Sequence, residues 1–403
     1  MASRPSPAEL AGRPTYTRAQ LEAYFDLVSL PHSARRYTLS PGDAGASAAS
    51  GPGTRSSPEE EDLAYLTLLM KHQLVRVPFE NLTLHYSWHK VIDPSPVRMY
   101  KKIVGASAPV RGQKDDHDDH DGSEVGVGGG QGGYCMEVNS FFFTVLLSIG
   151  FDVYMAGARV WSPPKGKYLG LSHCVCIVTV GGDRYLVDVG NGPNVGVRPL
   201  KLEVSSASAG GDKGQGGGEG EGVGAPRDHI APAKMRLKRE PVAQGLSRAR
   251  GWNLGWVYQV KYDGADDDDD DDDDSKWITQ YMFLDSEFLP EDIAVCNMQP
   301  GTSRKSFFTY TLLCVRFTTE KEHADFPGRC RTAALQDSSS EIDGALILWG
   351  DVFKWRRGGR TVLERKIESD LDRLDILKKY FGIVLDEEDV LGIKDTAGAL
   401  GGL

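Results

Sequence analysis

The sequence lacks an apolar run of the roughly 18 residues that a membrane-spanning helix requires. Residues 1–16 are polar and rich in proline, without the apolar core of a secretory signal, so we expect a cytoplasmic protein that binds no membrane. A basic stripe is also missing, because 46 Lys and Arg residues are outnumbered by 57 Asp and Glu residues. This balance argues against a nucleic-acid partner.

Cysteine is scarce, with six residues scattered over a chain of 403. A disulfide framework is therefore not expected, and reduced thiols in a cytosolic enzyme are the simpler interpretation. Cys174 and Cys176 lie on one predicted strand without a second pair nearby, so we interpret them as core residues.

Four segments of low complexity interrupt the chain. They are 40–58, 112–130, 205–225 and the nine aspartates 266–274, and we interpret all of them as loops or insertions. Without the nine aspartates, the formal net charge of −11 falls to −2. The second segment contains a His and Asp run at 114–121. Its composition favours a disordered insertion over a metal site, and we predict no metal.

Hydrophobic periodicity predicts helices first, then strands, then a mixture of both. The predicted helices are 17–30, 59–74, the run after Cys135 and 370–380, and the predicted strands are 153–160, 172–180, 185–189, 252–260, 277–283, 307–318, 346–353 and 360–363. This order indicates an α+β protein and not a doubly wound parallel sheet. The glycine-rich end, 398–403, is predicted to fray.

One stretch, 131–139, carries the clearest chemical signal. Cys135 follows a glycine pair and precedes an apolar run of helical length, 141–149. The partial positive charge of a helix N-terminus favours thiolate over thiol, and glycines let the backbone approach the group that the sulfur attacks. These features are typical of a nucleophilic cysteine, although by themselves they also fit a buried structural cysteine.

A thiol nucleophile needs a base, and the base needs a group that orients it. His173 and Asp188 are the candidates, because both interrupt apolar strands where a lone charge is costly. A tight turn at Gly182 and Asp183 would place them on one face but four rungs apart, about 13 Å at roughly 3.3 Å per residue. A bulge, a stronger twist or another register is required to bring them into hydrogen-bond distance.

Taken together, these segments resemble the arylamine N-acetyltransferase family. The similar segments are 77–81, 132–139, 158–160, His173, 185–190, 306–308 and 379–383. The resemblance covers residues 16 to about 385 apart from the insertions, which themselves suggest a fungal-type member. It implies three parts: an N-terminal helical bundle carrying the nucleophile at 1–150, a central antiparallel β-barrel-like domain at 151–290, and a C-terminal α/β lid at 291–403.

The resemblance further implies an enzyme with a Cys135, His173 and Asp188 triad. The reaction would be a ping-pong transfer from acyl-CoA, through a Cys135 thioester, to the nitrogen of an arylamine, arylhydrazine or arylhydroxylamine. The donor would be acetyl-CoA, or malonyl- or propionyl-CoA, used as a substrate, with no bound cofactor. Neither the residues nor the resemblance indicates an oligomeric state.

Four residues are candidates for substrate contacts by the same resemblance. Gly133, Gly170 and Ser306 are expected on the CoA side, and Phe308 is expected to border the amine site.

Two positions depart from the family's pattern. Gln131 stands where the family usually has an arginine that pairs with Glu80, so this acid is expected to lack a cation. Asn191 stands where many members have an aromatic residue. If Asn191 lines the acyl pocket, a polar donor such as malonyl-CoA should compete with acetyl-CoA.

The sequence leaves two alternative functions open. A cysteine hydrolase or transglutaminase-like enzyme would use the same triad on a peptide or amide. A catalytically silent homologue would keep the fold without the activity, and Gln131 is the main feature in its favour.

Overall fold

The computed structural model describes residues 12–39, 56–105, 130–204, 221–246, 253–262, 274–322 and 340–403. Most of each predicted insertion, including the whole His and Asp run, lies outside these residues. Within them, no helix is both long and apolar enough to cross a membrane. The same part of the chain holds no group of three or more His, Cys, Asp or Glu side chains that could bind a metal ion.

The helices form where apolar residues recur on one face of the sequence. They are α1 Arg18–Leu27, α2 Pro58–Arg76, α3 Thr83–Tyr86, α4 Pro96–Ile103, α5 Cys135–Ile149, α6 Pro290–Thr302, α7 Asp370–Ile376 and α8 Glu387–Val390. Both α1 and α2 begin with capping boxes, Thr17 with Gln20 and Ser57 with Glu60. The helices predicted at 17–30 and 59–74 are thereby confirmed.

The strands form two antiparallel sheets. They are β1 Phe79–Glu80, β2 Asp152–Ser162, β3 Lys167–Val180, β4 Asp183–Val187, β5 Leu200–Lys201, β6 Gly222–Val223, β7 Arg227–Asp228, β8 Lys234–Pro241, β9 Leu254–Lys261, β10 Ile278–Phe288, β11 Leu313–Thr319, β12 Ile342–Trp349, β13 Val352–Arg357 and β14 Arg360–Lys366. The smaller sheet has the order β1-β11-β12-β13-β14. The larger has the order β5-β4-β3-β2-β10-β9-β8-β6, with β7 also on β8, and curls into a half-barrel. The α+β prediction is confirmed.

Two predicted strands in the C-terminal part are partly wrong. The strand predicted at 307–318 begins only at β11, because Phe307–Thr309 forms a 3₁₀ turn. The strand predicted at 346–353 is two strands, β12 and β13, that meet at Gly350. Gly350 adopts φ +60°, a left-handed conformation that suits glycine and turns the chain there.

Helix α5 is the element that positions the site. It is buried on almost every side within the main hydrophobic core, where it packs against β2 and β3 of the larger sheet. Ahead of it, Gly133 pairs with Phe79 of β1, and β1 is the edge strand of the smaller sheet. The start of α5 is therefore fixed to both sheets. The domain boundaries predicted near residues 150 and 290 stay a prediction. Strand β1, which precedes the first boundary, pairs with β11, which follows the second.

The C-terminal end is anchored, so the prediction that 398–403 frays is wrong. Asp370 and Arg373 form a buried ion pair at 2.8 Å. Asp370 accepts the N–H groups of Leu400 and Gly401, both at 2.9 Å, and Arg373 donates to the Gly398 carbonyl at 2.9 Å. Asp370 lies about thirty residues before the C-terminal segment that it binds, so the composition of that segment alone does not reveal the contact.

Removing 398–403 is expected to destabilise the protein, because the side chains of Asp370 and Arg373 would lose their three hydrogen bonds to this segment. Hydrogen bonds to charged groups are worth about 1.5–3 kcal/mol each, so we expect a loss of roughly 3 kcal/mol or more in the free energy of unfolding by urea. Removing only 402–403 keeps all three bonds and is the control. Equal stability of the two truncated proteins would contradict this anchoring.

Candidate active site

Cys135 is the first residue of α5 and is only 3% exposed. The predicted position of this thiol at a helix N-terminus is confirmed. Its Sγ lies 3.6 Å from the carbonyl oxygen of Ser172, so β3 passes directly beside it. The preceding Tyr134 donates its N–H to Glu137 Oε2 at 3.1 Å, which fixes the entry of the chain into the helix.

His173 and Asp188 are in direct contact, with His173 Nε2 2.9 Å from Asp188 Oδ2. Each side chain is 2% exposed. The β3–β4 register pairs Val180 with Asp183, so the turn occupies Gly181 and Gly182 instead of 182 and 183. Extending this register puts Asp188 two residues from the position opposite His173, whereas a turn at Gly182 and Asp183 would put it four residues away. Side chains two apart on one face reach each other diagonally.

The glycine conformations explain why the chain adopts another register, one of the alternatives that the sequence left open. Gly181 and Gly182 both adopt positive φ, +61° and +87°. Positive φ at both central residues defines the tight type I′ turn, which favours glycine over aspartate. The turn therefore uses the Gly-Gly pair, and Asp183 begins β4.

Asn139 holds Asp188 in place. Its Nδ2 donates to Asp188 Oδ1 at 2.9 Å and to the Cys174 carbonyl at 2.8 Å, and its Oδ1 accepts the Val189 N–H at 2.9 Å. The Gly190 N–H also reaches Asp188 Oδ1, at 2.8 Å. Sequence reasoning gave Asn139 no role. Its spacing of four residues from the cysteine, which puts both on one helix face, was the available signal.

The surroundings of His173 favour its protonated form. Burial alone would lower the pKa of His173, but the Asp188 carboxylate and hydrogen bonds to Asp188 and Cys135 raise it to about 10. Burial likewise opposes ionisation of Asp188, yet His173, Asn139 and the Gly190 N–H keep the pKa of this carboxyl below its ordinary value. At neutral pH the pair is therefore imidazolium and carboxylate, next to the thiol.

The glycine pair ahead of Cys135 serves close packing. A Cβ on Gly132 would lie 1.7 Å from the Pro78 carbonyl oxygen, and one on Gly133 would lie 2.4 Å from Glu137 Cβ. Gly133 donates its N–H to the Pro78 carbonyl at 3.2 Å and accepts the Glu80 N–H at 3.1 Å. The expected approach of these glycines to a substrate is thus replaced by packing against β1, and the Gly133 N–H is already engaged.

The other three candidate substrate residues lie in different settings. Phe308 packs on Tyr134, the residue before the nucleophile, with ring centroids 5.1 Å apart. Ser306 is buried and precedes the Phe307–Thr309 turn. Gly170 is exposed in β3, and a Cβ placed on it would meet no atom within 4 Å.

A buried charge cluster lies behind the nucleophile loop, which we define as residues 131–134. Lys102 Nζ of α4 lies 3.0 Å from Glu80 Oε1 and 2.7 Å from Glu137 Oε1. The expectation that Glu80 lacks a cation is therefore wrong, because Lys102 supplies one from a different part of the chain. Burial raises the pKa of Glu137, Lys102 lowers it and Glu80 raises it, which leaves it at about 7.

The chain is similar to known acyltransferases in sequence and in fold. A family model described as N-acetyltransferase matches residues 108–212. The N-malonyltransferase FDB2 of Fusarium pseudograminearum is 28% identical over 95% of this chain and 93% of its own length. The arylamine N-acetyltransferase of Mycobacterium abscessus matches the structure with a TM-score of 0.59 and 18% identity, over 93% of each chain. That of Mycobacterium marinum, solved in complex with CoA, gives 0.56 and 20%, over 93% of this chain and 95% of its own.

Proposed function

Because the chain belongs to the arylamine N-acetyltransferase family, we propose that it transfers an acyl group from acyl-CoA to the nitrogen of an aromatic amine. The observation that carries the proposal is the contact of a helix-start thiol, Cys135, with a histidine that is itself paired with a buried carboxylate at 2.9 Å. In this proposal Cys135 is the nucleophile, His173 the base and Asp188 the residue that orients and charges the base.

The first half-reaction forms a thioester on the enzyme. The Cys135 thiolate, held by the His173 imidazolium, attacks the thioester carbon of acyl-CoA. The His173 proton passes to the departing CoA sulfur, so CoA leaves as a thiol and His173 becomes neutral. One thioester replaces another, so the acyl-enzyme is accessible in energy. The Cys135 N–H belongs to the first turn of α5, where N–H groups have no carbonyl partner within the helix, and we assign it to the oxyanion.

The second half-reaction consumes the thioester. The amine nitrogen attacks the acyl carbon, His173 accepts a proton from the nitrogen, and the Cys135 thiolate is expelled. The Cys135, His173 and Asp188 side chains are 2–3% exposed.

Phe308 supports an aromatic acceptor. Its ring lies 6.2 Å from that of Phe79 and 5.1 Å from that of Tyr134, which makes an aromatic wall next to the nucleophile. We assign the amine to this wall. For the CoA contacts we propose the neighbouring Ser306 and the exposed Gly170.

The cytoplasm remains the cellular compartment that we propose for the protein.

Malonyl-CoA is the donor we propose beside acetyl-CoA. A Cβ on Gly190 would lie 2.8 Å from Cys135 Cα, so the segment that contains Asn191 runs directly beside the nucleophile. An amide at this position suits a donor whose acyl group ends in a free carboxylate better than an aromatic ring does. The name of the Fusarium pseudograminearum relative, an N-malonyltransferase, agrees with this choice.

A competition experiment tests both the transfer and the donor. With aniline and equal amounts of acetyl-CoA and malonyl-CoA, we expect N-acyl products of both kinds, measured by liquid chromatography and mass spectrometry. Asn191→Phe should move the product ratio toward acetyl by about tenfold, because a polar contact to the donor is lost. The donor proposal would be contradicted if propionyl-CoA gave product at the same rate as acetyl-CoA while malonyl-CoA gave none.

The same incubation separates the alternatives. A hydrolase would release an acid or cleave a peptide without forming the anilide, and a silent homologue would release no CoA from any donor.

A further inference from the structure

The nucleophile loop is held from behind by two carboxylates. Glu80 Oε1 accepts the Gly132 N–H at 3.1 Å, and its other oxygen accepts the Leu82 N–H. Glu137 Oε2 accepts the Tyr134 N–H at 3.1 Å. One acid thus fixes the loop near its start, and the other fixes the residue next to Cys135.

Both acids are buried, Glu80 at 0% and Glu137 at 1% exposure, and they share one ammonium group. Two uncompensated carboxylates in such a site would repel each other, and one would take up a proton. A protonated carboxyl is a weaker acceptor for a backbone N–H than a carboxylate. The hold on the loop therefore depends on the cation.

We propose that Lys102 is a positioning residue for Cys135: its ammonium group stabilises the ionised form of both carboxylates, and these carboxylates fix the nucleophile loop. The inference rests on the proposed function, since Lys102 acts on the acylation step through this loop. Lys102 does not contact the triad, and its effect passes through Glu80 and Glu137.

The groups facing Glu137 come from three elements. Lys102 approaches from α4 and Glu80 from β1, and the Tyr134 phenol interacts with Glu137 from within the loop. With Lys102 in place the pKa of Glu137 is about 7, so the hold on Tyr134 strengthens as pH rises through neutrality. Without the cation this transition moves to a more alkaline pH.

A substitution at position 131 can restore the positive charge that a Lys102 variant loses. A cleft of about 690 Å³ is lined by Lys101, Lys102, Gln131 and Glu137, while Cys135, His173 and Asp188 are absent from its lining in the described chain. An arginine at 131 would therefore reach the same cleft and could replace the missing charge. Lys101, exposed on the same helix, offers a matched control.

The experiment compares the rate constant for acylation of Cys135 by acetyl-CoA across pH in the wild type and four variants. Lys102→Met should lower the rate at neutral pH by about 10–100-fold, since small displacements of a reacting group have effects of this size. Its profile should also shift to alkaline pH. Lys102→Arg and the control Lys101→Met should stay near the wild type, and Lys102→Met with Gln131→Arg should recover most of the rate.

A wild-type rate and pH profile for Lys102→Met would overturn the inference, provided that the wild type itself is acylated. Failure of the wild type to be acylated would instead count against the proposed function. If Lys102→Met does not fold, Glu137→Gln still decides, because the amide keeps an acceptor for Tyr134 and removes the titrating acid. It should abolish the transition near neutral pH, and a retained transition would overturn the inference.

Discussion

Replacing Cys135 with alanine is expected to abolish acyl transfer, with a fall in kcat of about 10⁴-fold or more. The acyl group has no other route in the proposed reaction, because the nucleophile that would carry it is gone. The change is small in volume and lies at a helix start, so the fold should persist. Release of CoA in the presence of aniline measures the loss.

Cys296 provides the matched control for this experiment. It is a partly buried thiol on α6 that interacts electrostatically with Cys135, so it lies in the same region without the helix-start position. Cys296→Ala should keep most of the activity. If Cys135→Ala kept activity, or if both variants lost it equally, Cys135 would not be the nucleophile.

Replacing Asp188 with asparagine is expected to have the second largest effect, a fall of about 10⁴-fold in the rate of Cys135 acylation. Asn139 and the Gly190 N–H already occupy Oδ1, so the amide is poorly matched to its donors and cannot stabilise the imidazolium. Burial would then lower the pKa of His173 from about 10. The thiolate would lose its counter-ion at neutral pH.

Thiol alkylation across pH, read by mass spectrometry, measures this change. The wild type should be alkylated faster than Asp188→Asn at neutral pH, because the His173 imidazolium that stabilises the Cys135 thiolate is lost in the variant. Asp183→Asn, at an exposed acid that begins β4, the strand leading to Asp188, is the control and should match the wild type. Matching alkylation profiles for Asp188→Asn and the wild type would contradict the assigned role.

The same pair links stability to pH. The pKa of His173 is raised in the folded protein, so its stabilisation is complete below about pH 6.5 and is lost as pH rises toward about 10. The wild-type advantage over Asp188→Asn in urea unfolding should therefore shrink between neutral and alkaline pH. An advantage that grew with pH would show the wrong sign.

The chemistry of the site was predictable where it depends on local sequence. A cysteine after Gly-Gly and before an apolar run predicts a helix start, and α5 begins at that residue. The candidates for the base and its partner were also predictable, because His173 and Asp188 interrupt predicted apolar strands. The contact between His173 and Asp188 was not predictable, because it depends on which two residues form the tight turn between β3 and β4.

Features that join distant parts of the chain were beyond the sequence. Lys102 lies on a short amphipathic helix far from position 131, and no local pattern marks it as the partner of Glu80 and Glu137. The anchored C-terminal end is similar, because its glycine-rich composition predicts fraying while the buried Asp370 fixes it. In both cases the decisive group is a charge buried by tertiary packing.

The most direct test of the proposed function is the mass of the intact protein after incubation with acetyl-CoA or malonyl-CoA, before and after adding aniline. The proposed reaction predicts a single acyl adduct on the wild type, absent from Cys135→Ala, which disappears when the amine is added and reappears as the anilide. A folded wild-type protein that forms no adduct with either donor would contradict the acyl-transfer proposal. An adduct that persists in the presence of the amine would contradict the acceptor.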